Sequence, residues 1–206
     1  MGVAAAHDPA WARSLAAGLE ALGIAADPDR QRRLLDYVAL LARWNRAYNL
    51  TAVREPEQMI AAHLLDSLAA APHLAERGRL LDVGSGAGLP GIPLAIMLPQ
   101  SRWLLLDSNG KKTRFIQQAV ADLKLDNVKV VQSRVEDYHA DESFDVIVSR
   151  AYASLQDYVQ SVNHLWQPAT RLITMKTELT EIERKQLDAS LYRLEVIPLR
   201  VPGITE

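Results

Sequence analysis

The chain has no cysteine among its 206 residues. That excludes disulfides, thiolate metal sites and every mechanism built on a cysteine nucleophile, and it suits a reducing cytoplasm. It also lacks a charge excess. Its 23 Lys and Arg stand against 25 Asp and Glu, a net charge of −2, which excludes a uniformly basic nucleic-acid coat but not a local basic patch. The start, Met1-Gly2-Val3-Ala4-Ala5-Ala6-His7-Asp8, lacks a basic stretch followed by a long apolar run, so no leader is expected. Residues 83–101 carry no charge, yet they hold Gly84, Gly86, Gly88, Gly91, Pro90, Pro93 and Pro99, poor material for a spanning helix. What is present is 49% apolar residues at a mean hydropathy of −0.07, enough for a packed core. The expectation is a cytoplasmic protein with no membrane segment.

Residues 1–78 read as helix only. Trp11, Leu15, Leu19 and Leu22 recur at helical spacing before Gly23, and Asp27-Pro28 offers a cap and a first-turn proline. Tyr37, Leu41, Trp44 and Tyr48 form one apolar stripe, and a third helix is expected over residues 56–74. From residue 79 apolar strands alternate with helices. Strands are expected at 80–83, 103–107, 128–131, 144–149 and 171–175, with a last one at 192–201. Helices are expected at 92–98, 111–123, 155–165 and 178–189. This alternation predicts an α/β fold with a mostly parallel sheet, whose ligands bind at the carboxyl ends of the strands.

The sharpest signal is Leu80-Leu81-Asp82-Val83-Gly84-Ser85-Gly86-Ala87-Gly88-Leu89-Pro90-Gly91. Here a strand runs through alternating glycines into a helix, as a loop that touches a nucleotide-like ligand requires. Asp107 follows 23 residues after Gly84, where an acid can hold a ribose diol. NAD and S-adenosylmethionine sites both use such an acid, so Asp107 leaves the two open. Asp82 favours S-adenosylmethionine, because a pyrophosphate would not tolerate a carboxylate there. Arg134-Val135-Glu136 follows the third strand, where such sheets grip an adenine.

With these blocks the chain resembles the glucose-inhibited division protein B family of bacterial methyltransferases, which modify N7 of one guanine in small-subunit (16S) ribosomal RNA. The resemblance spans residues 34–202. It rests on Trp44-Asn45-Arg46-Ala47-Tyr48-Asn49-Leu50-Thr51, His63-Leu64-Leu65-Asp66-Ser67, the glycine loop through Pro93, and Leu105-Leu106-Asp107-Ser108 with Lys111-Lys112. Gln132-Ser133-Arg134-Val135-Glu136 and Ser149-Arg150-Ala151-Tyr152-Ala153-Ser154 complete it. It implies a class I, Rossmann-like S-adenosylmethionine-dependent methyltransferase domain at 79–206 behind a helical segment at 1–78. The resemblance places the cofactor against Gly84, Leu89, Val135, Glu136 and Arg150, with Asp107 on the ribose, and the glycine loop itself adds Gly86 and Gly88 as cofactor candidates. In two places the chain departs from the family. Met175-Lys176-Thr177 has no glycine after the lysine, and the chain stops at Glu206, short of the expected last strand.

The absences agree with an N7 target. There is no cysteine to attack a pyrimidine, and Ser149-Arg150-Ala151-Tyr152 stands where exocyclic-amine methyltransferases carry Asn or Asp before Pro-Pro-aromatic. Lys111, Lys112, Arg114 and Arg134 are the candidate phosphate contacts, and Tyr152 a candidate to stack on an extruded base. Residues 30–54 hold six arginines against Asp36 alone, a second basic stretch. His63 and Asp66 sit three apart on a helix without a second ligand pair, so no metal is expected. The Trp44–Thr51 block reads as docking the helical segment onto the sheet, with Asn49 and Thr51 capping its turn.

Overall fold

The computed structural model describes residues 7–74, 78–150, 152 and 154–204. Residues 1–6, on which the reading of the start rests, lie outside the described residues, as do Ala151 and Ala153 of the block after the fourth strand. Two aspartates set the first helices. Asp8 accepts the Ala10 amide at 2.8 Å to open α1 (Pro9–Ala21), and Asp27 accepts the Arg30 amide at 2.8 Å to open α2 (Pro28–Tyr48). Both begin on proline, where the missing N–H costs nothing. Asn49 ends α2 in the left-handed region at φ 49°.

The third helix is not the continuous one expected over 56–74. It runs as α3 (Pro56–Met59), a π-helical stretch (Ile60–Leu65), α4 (Asp66–Leu68) and a 3₁₀ turn (Ala71–His73). Pro72 cannot donate into a continuing helix, which ends the run early.

Among the described residues five strands follow: β1 (Gly78–Val83), β2 (Ser101–Asp107), β3 (Val128–Gln132), β4 (Val146–Arg150) and β5 (Arg171–Met175). All pair in parallel, in the order β3-β2-β1-β4-β5. The connecting helices are α5 (Gly91–Met97), α6 (Gly110–Asp122) and α7 (Leu155–Ser161), with α8 (Glu181–Gln186) after β5. The strand expected at 192–201 is absent among the described residues. Its alternation is real, but Leu194, Val196 and Ile197 are partly exposed and no neighbouring strand completes a ladder. The helix expected at 178–189 is shorter, because Thr180 and Glu183 form a capping box that starts it at Glu181.

Alternate strand residues face opposite layers. Leu80, Trp103, Leu105, Val146 and Val148 pack with α5, α6 and the N-terminal helices through Leu34, Tyr37 and Leu41. Leu81, Val83, Leu104, Leu106 and Ile147 pack against Leu155, Tyr158 and Val159 of α7. The strand order reverses between β1 and β4, and the carboxyl ends at such a switch point form the crevice where open parallel sheets bind ligands. Among the described residues no helix is long and apolar enough to cross a membrane.

Candidate active site at the carboxyl ends of the strands

The loop after β1 folds back onto β2. The amides of Gly84 and Ser85 both donate to the Leu106 carbonyl, at 2.8 and 3.0 Å. Gly84, Gly86 and Gly88 all have left-handed φ angles, +70°, +59° and +85°, but their surroundings differ. A Cβ on Gly84 would meet nothing within 4 Å, and one on Gly86 only the Gly84 carbonyl at 3.8 Å. This is an open cradle. A Cβ on Gly88 would instead strike Ile92 at 2.6 Å, and one on Gly91 the Asp82 carboxylate at 2.6 Å, so these two serve the packing of α5.

Two carboxylates frame the cradle. Asp107, almost fully buried, accepts the Gly86 amide on Oδ2 and the Asn109 amide on Oδ1, both at 2.8 Å. Each oxygen keeps lone-pair capacity for a further donor. Asp82 is completely buried. Its Oδ2 accepts the Gly91 amide at 3.0 Å, while Oδ1 has no partner. Burial pushes its pKa up to about 7, with the Gly91 amide, the Ser85 hydroxyl and the charge of Arg150 opposing the shift. A buried carboxylate oxygen without a hydrogen-bond partner, at the end of the strand that leads into the open glycines, fits a ligand that brings positive charge and hydrogen-bond donors.

Arg150, at the end of β4, is tied to the helical segment. One of its terminal nitrogens donates to Asp66 Oδ2 at 2.9 Å and to the Ala62 carbonyl at 3.3 Å. Tyr37 was legible only as part of an apolar stripe, yet its buried hydroxyl donates to the Ala87 carbonyl of the glycine loop at 2.7 Å. No local signal marks that role, because the partner lies fifty residues away.

The family model for GidB, described as rRNA small subunit methyltransferase G, matches residues 30–206. The chain belongs to this family. It is 50% identical over 194 residues to the ribosomal RNA small subunit methyltransferase G of Stutzerimonas stutzeri, covering 93% of this chain and 90% of that one. The protein of the same name from Ectopseudomonas mendocina is 52% identical over 194 residues, with the same coverage. That from Shewanella loihica is 48% identical over 181 residues, covering 88% and 87%. The all-parallel sheet is thus the core of a class I methyltransferase.

Several of the blocks that carry the family resemblance are linked by hydrogen bonds, the glycine loop to Asp107 and Arg150 to Asp66. The Ser133 amide donates to the Asp107 carbonyl at 3.2 Å, which brings the end of β3 to the end of β2. Val135 is buried beyond it and Glu136 exposed, while Leu89 is buried at the base of the glycine loop. Lys111, Arg114 and Arg134 are exposed and Lys112 half-buried, and none has an ion-pair partner among the described residues. Lys111 and Lys112 lie in the first turn of α6, after its cap Asn109 and Gly110.

The basic stretch at 30–54 looks different once folded. Arg30 pairs with Asp27 at 3.3 Å, Arg32 with Asp29 and Asp36 at 2.5 and 2.7 Å, and Arg33 with Asp29 at 2.8 Å. Counting charge from residue 30 overlooks the two aspartates just before it. Tyr152 is half-buried; its hydroxyl donates to Ser161 at 2.9 Å and its ring lies 5.4 Å from that of Tyr158. His63 is buried against Thr51 and held below the ordinary imidazole range by that burial. Lys176, in the loop that departs from the family pattern, pairs with Glu183 at 2.6 Å.

Proposed function

We propose that the chain transfers the methyl group of S-adenosylmethionine to N7 of a guanine in 16S ribosomal RNA. The observation that carries the cofactor reading is the open Gly84–Gly86 cradle above the unpartnered Asp82 oxygen and beside Asp107. The family description supports the ribosomal RNA, and the resemblance supports the N7 atom. Against the dinucleotide alternative, a pyrophosphate would have to lie beside two buried carboxylates, at a large desolvation and repulsion cost.

Bound here, S-adenosylmethionine supplies an electrophilic methyl group on a sulfonium that departs neutral. The Asp107 carboxylate takes the ribose hydroxyls on its remaining lone pairs, and Val135 and Glu136 flank the adenine. Asp82 and Arg150, of opposite charge, face the two charges of the methionine end. Guanine N7 already carries a lone pair, so no residue has to remove a proton. What the chain contributes is alignment and exclusion of water. Lys111, Lys112, Arg114 and Arg134 take RNA phosphates, and Tyr152 stacks on the base by turning from Ser161.

On this reading residues 1–78 are a helical segment and 79–206 the methyltransferase domain, acting in the cytoplasm on free RNA or on an assembling small subunit, without a metal or a membrane. The test is transfer of labelled methyl to unmodified small-subunit RNA, free and assembled, followed by borohydride and aniline cleavage to locate 7-methylguanine. A single cleavage site is the expected result. Intact cofactor binding without transfer would remove the RNA assignment and leave the cofactor site standing.

A further inference from the structure

The Trp44–Thr51 and His63–Ser67 blocks contain several polar side chains that the reaction itself does not use. They form one connected chain of hydrogen bonds. Asn45, buried in α2, accepts the Thr51 amide at 2.9 Å and donates to the Val53 carbonyl at 3.0 Å, which closes the turn after α2 on itself. Thr51 Oγ1 accepts the Val53 amide at 3.2 Å and lies 2.8 Å from His63 Nε2. The other ring nitrogen, Nδ1, faces the Ala62 carbonyl at 2.9 Å. A carbonyl only accepts, so Nδ1 carries the proton and Nε2 takes the Thr51 hydroxyl hydrogen. The chain therefore runs from α2 to the carbonyl that Arg150 uses.

The π-helical stretch makes that carbonyl available. In an α-helix the Asp66 amide would bond to Ala62, four residues back. Here it donates to the Ala61 carbonyl, a π-type register, and also to His63, while the Ala62 carbonyl accepts from Arg150 and His63. The same shift leaves the Asp66 carboxylate within 2.9 Å of Arg150. One terminal nitrogen of the guanidinium is anchored on both its hydrogens. Of the five N–H donors of an arginine, three then remain without a partner among the described residues. Arg150 is thus held through one terminal nitrogen, with its other donors unused among the described residues, at the carboxyl end of β4.

We propose that Asp66, supported by the Asn45–Thr51–His63 chain, is a positioning residue that presets Arg150 to receive the carboxylate of S-adenosylmethionine. This rests on the cofactor reading above. A fixed guanidinium gives up little freedom when it captures a planar carboxylate, so its anchor improves binding without touching the ligand.

The test is a double-mutant cycle on S-adenosylmethionine affinity, measured by calorimetry on the full chain for Asp66→Ala, Arg150→Ala and the double variant. Asp66→Ala is expected to weaken binding about tenfold in the presence of Arg150 and hardly at all in its absence. Equal losses in both backgrounds would overturn the proposal, because they describe a structural residue. Unchanged cofactor affinity with weakened RNA binding would overturn it too, assigning the pair to the RNA. If Asp66→Ala does not fold by circular dichroism, Asp66→Asn, which keeps shape and acceptor, is put through the same cycle. Wild-type protein that bound no S-adenosylmethionine would overturn the cofactor reading and this proposal with it, whereas binding with additive losses would overturn only the latter.

Discussion

Strands β1 and β5 lie two places apart in the same sheet, yet they are held in different ways. β1 is paired on both sides and its last four residues are buried. It runs into a loop fastened by β2, Asp107 and the hydroxyl of Tyr37. Among the described residues β5 pairs with β4 alone, and its first residue is exposed. The segment after it leaves Ile182, Leu191, Leu194, Val196 and Ile197 partly in solvent. The tight region is the one where distant pieces of chain converge, and it is also the region that frames the crevice. Rigidity is concentrated where a ligand needs prearranged groups.

The comparison can be broken most forcefully in the core. Trp103 on β2 is 2% exposed, against 37% for Leu194. Trp103→Ala is expected to cost about 3–5 kcal/mol from lost transfer energy and the cavity left behind, and Leu194→Ala less than about 0.5 kcal/mol. Urea melts of the two variants check this. Similar losses would mean that the segment after β5 is packed after all.

A smaller effect isolates one hydrogen bond. Tyr37→Phe keeps the ring beside Phe115 but leaves the buried Ala87 carbonyl without its donor. The expected loss is about 1–3 kcal/mol in thermal or denaturant unfolding, with weaker S-adenosylmethionine binding because the glycine loop loses its brace. Full stability together with unchanged affinity would show that the loop is held by its backbone bonds alone.

How much of this was legible beforehand differs along the chain for physical reasons. The glycine loop was readable because a tight turn at a strand end admits few residues besides glycine, and β5 was readable because Arg171 to Met175 is bounded by turn residues. The strand expected at 192–201 was misread because alternation reports which faces differ, not whether a partner strand is present. The π-helical stretch escaped because six residues are too few to separate its period from that of an α-helix. The bonds Tyr37–Ala87 and Arg150–Asp66 join residues 50 and 84 positions apart, a distance no local pattern spans. Asp107 is legible as a candidate cofactor residue and Asp82 as a carboxylate that favours S-adenosylmethionine, but their clasping of the amides of Gly86 and Gly91 is not.

The last distinction between the two regions is a difference in the sign of a pH slope. Asp82, under the glycine loop, is pushed up by burial from an ordinary 3.8 to about 7. The folded chain then binds more protons than the unfolded one, so this group's stabilisation is fully present below about 3.8 and is lost as pH rises towards about 7. Glu183, which anchors α8 to the loop after β5, is held below its ordinary 4.5 chiefly by the hydrogen bond from Lys176. Its contribution is present above about 4.5 and is lost as pH falls below that value. Asp82→Asn should therefore flatten the decline of stability between pH 4 and 7, while Glu183→Gln should change only the acid side. Denaturant midpoints from pH 3 to 8 for the wild type and both variants measure this. If Asp82→Asn left the slope unaltered, the carboxylate would already be charged at acid pH, and the unpartnered oxygen beneath the cradle would have a donor near it.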